Sequence, residues 1–202
     1  MVPNVTGVHY SKKVEIHCSN VTLGCGPGWM STTGCSEMLL IDARDREQLA
    51  RNNITHILSI HDTAAPILQE MTYLCIPAAD APTQNLIQHF KKSIMFMHES
   101  RLKGEGCLVH CVTLVVAYIM TVTTLGWQEA LAAVKVARPC ASPNAGFQTQ
   151  LQVFESTELQ QFREWLKEKY KENPFNDEEE IRNLLTQVTG TSTPEENDLQ
   201  DA

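Results

Sequence analysis

An α/β domain with a mostly parallel central sheet and helices packed against it is the architecture this sequence predicts. Three observations carry it. Short runs rich in β-branched residues alternate with longer segments of helical period. One run, Cys107-Leu108-Val109-His110-Cys111, is apolar at four of its five positions, as a strand covered on both faces should be. Length and composition complete the case, because 202 residues with 43% hydrophobic content suit a single domain with a real core plus an extension.

Taken in order, residues 42–52 read as a capped helix and Ile54-Thr55-His56-Ile57-Leu58-Ser59-Ile60 as a strand. Residues 73–76 are a second short strand, stopped by Pro77. Leu86, Phe90, Ile94 and Met97 recur at helical spacing within 85–102, and Gly104 and Gly106 end that helix before the strand 107–111. Three helices follow over 113–123, 128–137 and 144–170, separated by Gly126 and by the stretch from Pro139 to Pro143. Residues 1–38 differ in character. They hold three cysteines and five of the ten glycines, centred on Gly24-Cys25-Gly26-Pro27-Gly28, and show no period. The chain therefore divides into a poorly ordered segment over 1–40, with Met38-Leu39-Leu40-Ile41 at most a short strand, a folded domain over 41–170, and a tail over 171–202.

Charge is concentrated in that tail. Its nine acidic residues against Lys171 and Arg182 account for seven of the eight net negative charges. A mostly disordered acidic extension is expected there, interrupted by a short helix over 177–187. The body is nearly neutral and carries no basic stripe, so nucleic acid is not an expected partner. The sequence holds no apolar span long enough for a membrane helix, and Ser11-Lys12-Lys13 precedes no apolar stretch of the kind a secretory leader needs. The expected location is cytoplasmic, with the nucleus as a second compartment. Seven cysteines is an odd count, and Cys75, Cys107, Cys111 and Cys140 sit among apolar neighbours, so reduced thiols are expected and not a disulfide framework. Without secretion, the sequons at Asn4, Asn20 and Asn53 carry no meaning. Cys18, Cys25 and Cys35 with His9 and His17 show none of the compact pair spacings of a zinc site, so neither metal nor cofactor is expected.

His110-Cys111, at the end of an apolar strand, has the form of the nucleophile of a cysteine-dependent phosphatase. A thiolate that attacks phosphorus needs a strand to hold it and a helix N-terminus to favour its charge. Between them runs a tight loop whose backbone N–H groups surround the phosphate. Small residues let those amides converge, and an arginine six positions after the cysteine clamps two oxygens. Here Cys111 is followed by Val112, Thr113, Leu114, Val115 and Val116, and Ala117 stands at the arginine's spacing. Between Cys111 and Thr123 there is no Gly and no Arg, and β-branched residues do not adopt the conformations such a loop requires.

From Ile41 to about Tyr170 the chain resembles an atypical dual-specificity protein phosphatase of the JNK-pathway-associated type. The resemblance rests on Asp42-Ala43-Arg44-Asp45, Ile54 through Asp62, Ile76-Pro77-Ala78-Ala79-Asp80, Cys107 through Cys111, Ala117 through Thr123, and Asn144 with Gly146-Phe147. It implies a protein tyrosine phosphatase-like fold, degraded at the first strand and at the phosphate-binding loop. Cys111 corresponds to the nucleophile that forms a cysteinyl-phosphate. Asp80, before Ala81-Pro82, corresponds to the general acid that protonates the leaving oxygen. In the family roughly seven residues, including the Gly, the Ser and the Arg of the anion cradle, separate this cysteine from the helix that follows. Phosphoproteins or kinase-pathway proteins are the implied partners. Relatives of this type begin Met-Gly, a myristoylation site, whereas this chain begins Met1-Val2, so no lipid anchor is expected. Lost or very low activity is the expectation. A non-catalytic phosphatase-fold binding protein and a nonproductive product of altered splicing or of a faulty gene model are the alternatives. The missing residues also predict that helix or strand unravels at this junction, and if the helix gives up a turn, Leu114 and Val115 leave the core.

Overall fold

The computed structural model describes residues 21–23, 43–171 and 173–189. A four-stranded sheet has the order β1-β4-β2-β3, with β1 at Val21–Leu23, β2 at Ile54–Ile60, β3 at Thr72–Ile76 and β4 at Gly106–His110. β2 runs parallel to both β3 and β4, while β1 pairs antiparallel with the outer edge of β4. The expected mostly parallel sheet is therefore present. Its short antiparallel edge comes from the segment read as poorly ordered. Met38 to Ile41, the candidate strand, and the cysteines and histidines weighed as a zinc site lie outside the described residues.

Helix α1 (Arg46–Arg51) starts at Asp45, whose carboxylate accepts from the N–H groups of Glu47 and Gln48 at 3.0 and 3.1 Å. α2 (Ile87–Leu102) buries Phe90, Ile94 and Met97, the face read from the sequence. α3 (Val112–Val122) is buried at every position from Val112 to Thr121, so it is a central helix and not an amphipathic one. α4 (Trp127–Ala137) follows after Gly126. Against α3, β4 and α2 lies one apolar cluster that includes Leu58, Ile76, Phe90, Val109, Tyr118, Leu151 and Phe154. Phe154 stacks edge-on between Phe90 and Phe162, with centroids 5.0 and 4.9 Å away.

Two segments depart from the sequence reading. Residues 144–170 form two helices instead of one, α5 (Ala145–Thr157) and α6 (Leu159–Tyr170), broken at Glu158 with φ −121°. The hydroxyls of Ser156 and Thr157 both donate to the carbonyl of Val153, at 3.0 and 2.7 Å, and such back-bonding bends helices. Glu158 then ends one helix and begins the next, its N–H donating to Phe154 and its carbonyl accepting from Phe162, each at 3.0 Å. The second departure is in the acidic tail, where the helix expected over 177–187 is present as α7 (Asp177–Thr189) but docks on the domain, with Asp177 and Ile181 each 1% exposed. Four acidic residues fill its first turn, where the positive end of the helix dipole favours them. No described helix is long and apolar enough to cross a membrane.

Candidate active site

Both residues assigned to chemistry leave the sheet at one end. Ser59 of β2 pairs with His110 of β4, and Ile60 pairs with Ile76 of β3, so Cys111 and the chain from Pro77 to Asp80 exit beyond the C-terminal ends of neighbouring parallel strands. That is where open α/β sheets place their ligands.

Around Cys111 the geometry is abrupt. β4 ends at His110, Cys111 is extended at φ −165° and ψ 112°, and α3 begins at Val112. A single residue thus makes the whole strand-to-helix connection. The Cys111 carbonyl accepts the N–H of Val115 at 3.3 Å, the first bond of the helix. Val112, Thr113 and Leu114, which carry the N–H groups nearest the thiol, are 6%, 1% and 0% exposed, and Cys111 itself is 7% exposed. The expected unravelling of α3 does not occur: Leu114 and Val115 are both fully buried. An extended residue reverses the chain sharply enough that neither strand nor helix yields a turn. Ala117 is fully buried on α3 and brings a methyl group to the arginine's spacing, with nothing that could hold an oxyanion.

Asp80 is exposed and fixed by its neighbours. Its Oδ1 accepts from Asn144 Nδ2 at 2.9 Å, while Asn144 Oδ1 caps α5 by accepting from Phe147 N at 3.0 Å. The same loop is tied at two further points. Gln84 Oε1 accepts from Ala79 N at 3.3 Å, and Gln150 reaches across from α5, donating to the Gln84 carbonyl and accepting from Leu86 N, each at 2.7 Å. Sequence reasoning singled out Asn144 and Gly146 but missed Gln84 and Gln150, which match no motif and show their role only once α5 lies beside the loop. Gly146 is required by contact, since a Cβ there would stand 2.0 Å from the Pro82 carbonyl oxygen. Gly146→Ala is therefore expected to push the Asp80 loop off α5 and lower stability by about 1–3 kcal/mol, the usual cost of overpacking. A thermal melt of the variant checks this, and an unchanged melting temperature would contradict it.

The other cysteine of β4 makes a useful contrast. Burial pushes the Cys107 thiol up to about 12, against the opposing hydrogen bonds of Ser100 and the Leu58 backbone, so it is a neutral core thiol and no nucleophile. Cys75 is also raised by burial. None of the four described cysteines Cys75, Cys107, Cys111 and Cys140 is in a disulfide. Among the described residues no group of three or more His, Cys, Asp or Glu side chains could hold a metal ion.

Comparison with known proteins places this arrangement. Residues 41–157 match the model of the family described as dual specificity phosphatase, catalytic domain, and the matched span includes both Asp80 and Cys111. The chain is 81% identical over 166 residues to dual specificity protein phosphatase 22-B of Danio rerio, covering 79% of this chain and 89% of that one. To dual specificity protein phosphatase 22 of Homo sapiens it is 60% identical over 151 residues, covering 71% and 82%. Among solved structures, DUSP15 superposes with a TM-score of 0.61 at 47% identity, covering 68% of this chain and 90% of that one. The α/β fold, the paired exit of Asp80 and Cys111, and these matches agree: the chain belongs to the atypical dual-specificity protein phosphatases, alongside phosphatases 22 and 15.

Proposed function

We propose that this chain is a dual-specificity phosphatase by descent in which catalysis is lost or severely reduced, with Cys111 and Asp80 retained as nucleophile and general acid but the phosphate cradle between Cys111 and α3 missing. The observation that carries this reading is the one-residue connection from β4 to α3. Phosphoryl transfer by a thiolate depends on donors already aimed at the phosphate oxygens, and here the positions that would supply them are buried core residues of a helix. The alignments support a deletion. Coverage of 79% of 202 residues is about 160 against 166 aligned positions with the Danio rerio relative, a difference of about six that is in keeping with a deletion.

Phosphoproteins of a kinase pathway are the ligands the family suggests, met in the cytoplasm and nucleus. A non-catalytic binding role is the second reading. It is favoured by the intact core around α3 and by a solved relative described as a tyrosine phosphatase-like serine/threonine/tyrosine-interacting protein, with a TM-score of 0.54 at 32% identity. Hydrolysis of a phosphotyrosine peptide by the chain, by its Cys111→Ser variant and by a form with a Gly- and Ser-rich loop ending in Arg inserted after Cys111 tests the proposal. Cys111-dependent turnover by the chain as it stands would overturn it.

A further inference from the structure

A sealed polar cluster forms where α2, α3 and α7 meet. Arg101 of α2 is 2% exposed and Asp177 of α7 is 1% exposed. They make a two-pronged pair, Nη2 to Oδ1 at 2.7 Å and Nη1 to Oδ2 at 3.1 Å. Nη1 also donates to the Tyr118 hydroxyl on α3 at 2.8 Å, and the guanidinium lies over the Phe175 ring, 4.0 Å from its centroid. Asn173 Nδ2 donates to Asp177 Oδ2 at 3.3 Å. Further attachments of α7 run to α4 and to Thr124, whose Oγ1 accepts from Arg182 Nη2 at 3.1 Å. Glu178 accepts from Thr124 N and Oγ1, each at 2.6 Å, and Ile181 is buried, with Leu184 and Leu185 partly so. Within 177–186, Asp177 and Ile181 are the buried side chains.

We propose that α7 is a clasp that opens and closes as a unit, with the Asp177 carboxylate as its key. Ordering a terminal helix costs conformational entropy, and one fully buried isoleucine offsets only part of it. A buried ion pair adds little over an apolar pair of the same shape, but one of its partners left alone in the interior is strongly unfavourable. Docking is therefore tied to the pair. When the carboxylate withdraws, the Arg101 guanidinium loses both prongs of its ion pair, and the opening of α7 brings it to water. Lys171, at φ 60° and ψ −100°, turns the chain out of α6 and sets the hinge side of the clasp. Through Tyr118 the clasp also touches α3. This holds whether or not the chain is catalytic.

Hydrogen exchange on the full chain tests the proposal. In Asp177→Asn, amides of α7 are expected to exchange at least ~100-fold faster and cleavage to appear within 171–176, while amides of β2 and β4 keep their protection. The double variant Arg101→Met with Asp177→Leu replaces the pair by apolar groups and is expected to return α7 to within ~10-fold of its native protection. Loss of protection in β2 and β4 together with α7 would overturn the proposal, because α7 would then be integral to the domain. Unchanged protection of α7 in Asp177→Asn, or no recovery in the double variant, would overturn it equally.

Discussion

Hydrolysis of a phosphotyrosine peptide by this chain is expected to stay at the level of its Cys111→Ser variant. Insertion of a Gly- and Ser-rich loop ending in Arg between Cys111 and Val112 is expected to raise it by at least ~10³-fold. The size of the effect follows from what the junction lacks. Losing one donor aimed at a developing oxyanion commonly costs ~10²–10³ in rate, and on the proposed reading the arginine and several amides are missing together. Their contributions are not additive. Ala117 is a buried methyl group, and Val112 and Thr113 are β-branched residues held in the first turn of a helix. The insertion is expected to work because both flanks are in place: β4 still delivers Cys111, and Asp80 is still held on α5 by Asn144. A steady-state assay of the three proteins reads the result. Failure of the inserted form to gain activity while it folds would mean that the loss lies elsewhere than in the cradle.

Acid is expected to begin destabilising the fold near pH 6.5, before carboxylates titrate, and to cost up to about 3 kcal/mol between pH 6.5 and 4. The cause is His98, 1% exposed on α2 with its Nδ1 at 3.1 Å from the Tyr118 hydroxyl. Burial first and the neighbouring Arg101 guanidinium second bring its pKa down from 6.5 to about 4, against the weaker opposing pull of Asp177 and Glu99. The rings of Tyr170 and Phe175 close the remaining sides, with centroids 4.7 and 5.9 Å away. Because the folded pKa is depressed, the unfolded chain binds the proton first. The stabilising contribution is complete above pH 6.5, declines as pH falls below that value, and is gone once pH has passed through about 4. Urea melts at pH 7 and pH 4.5, for the chain and for His98→Gln, isolate this contribution. The variant is expected to show a shallower loss, and equal losses would remove His98 as the cause.

Local pattern carried much of the fold. β2 lies at Ile54–Ile60 as read, and Phe90, Ile94 and Met97 mark the buried face of α2, since strand alternation and helical period are properties of neighbouring residues. The break at Glu158 was missed although its cause, Ser156-Thr157, is visible in the sequence, because the apolar period runs through it from Leu151 to Leu166. The tail was misjudged at Asp177, whose partner Arg101 lies 76 positions away. No composition argument sees a carboxylate that will be buried on a guanidinium. At the site, Cys111 and Asp80 were legible as motif residues. What could not be read was that one extended residue suffices to turn β4 into α3, so that Leu114 and Val115 stay in the core.

Thermal unfolding with and without vanadate, an oxyanion that takes the place of the phosphoryl group, addresses the central claim most directly. The structure predicts one cooperative transition whose midpoint vanadate leaves in place, as expected of a folded domain with no anion cradle beside Cys111. A pocket filled at 100 times its dissociation constant would add about 2.7 kcal/mol and raise the midpoint by several degrees. That shift, removed by Cys111→Ser, would contradict the account.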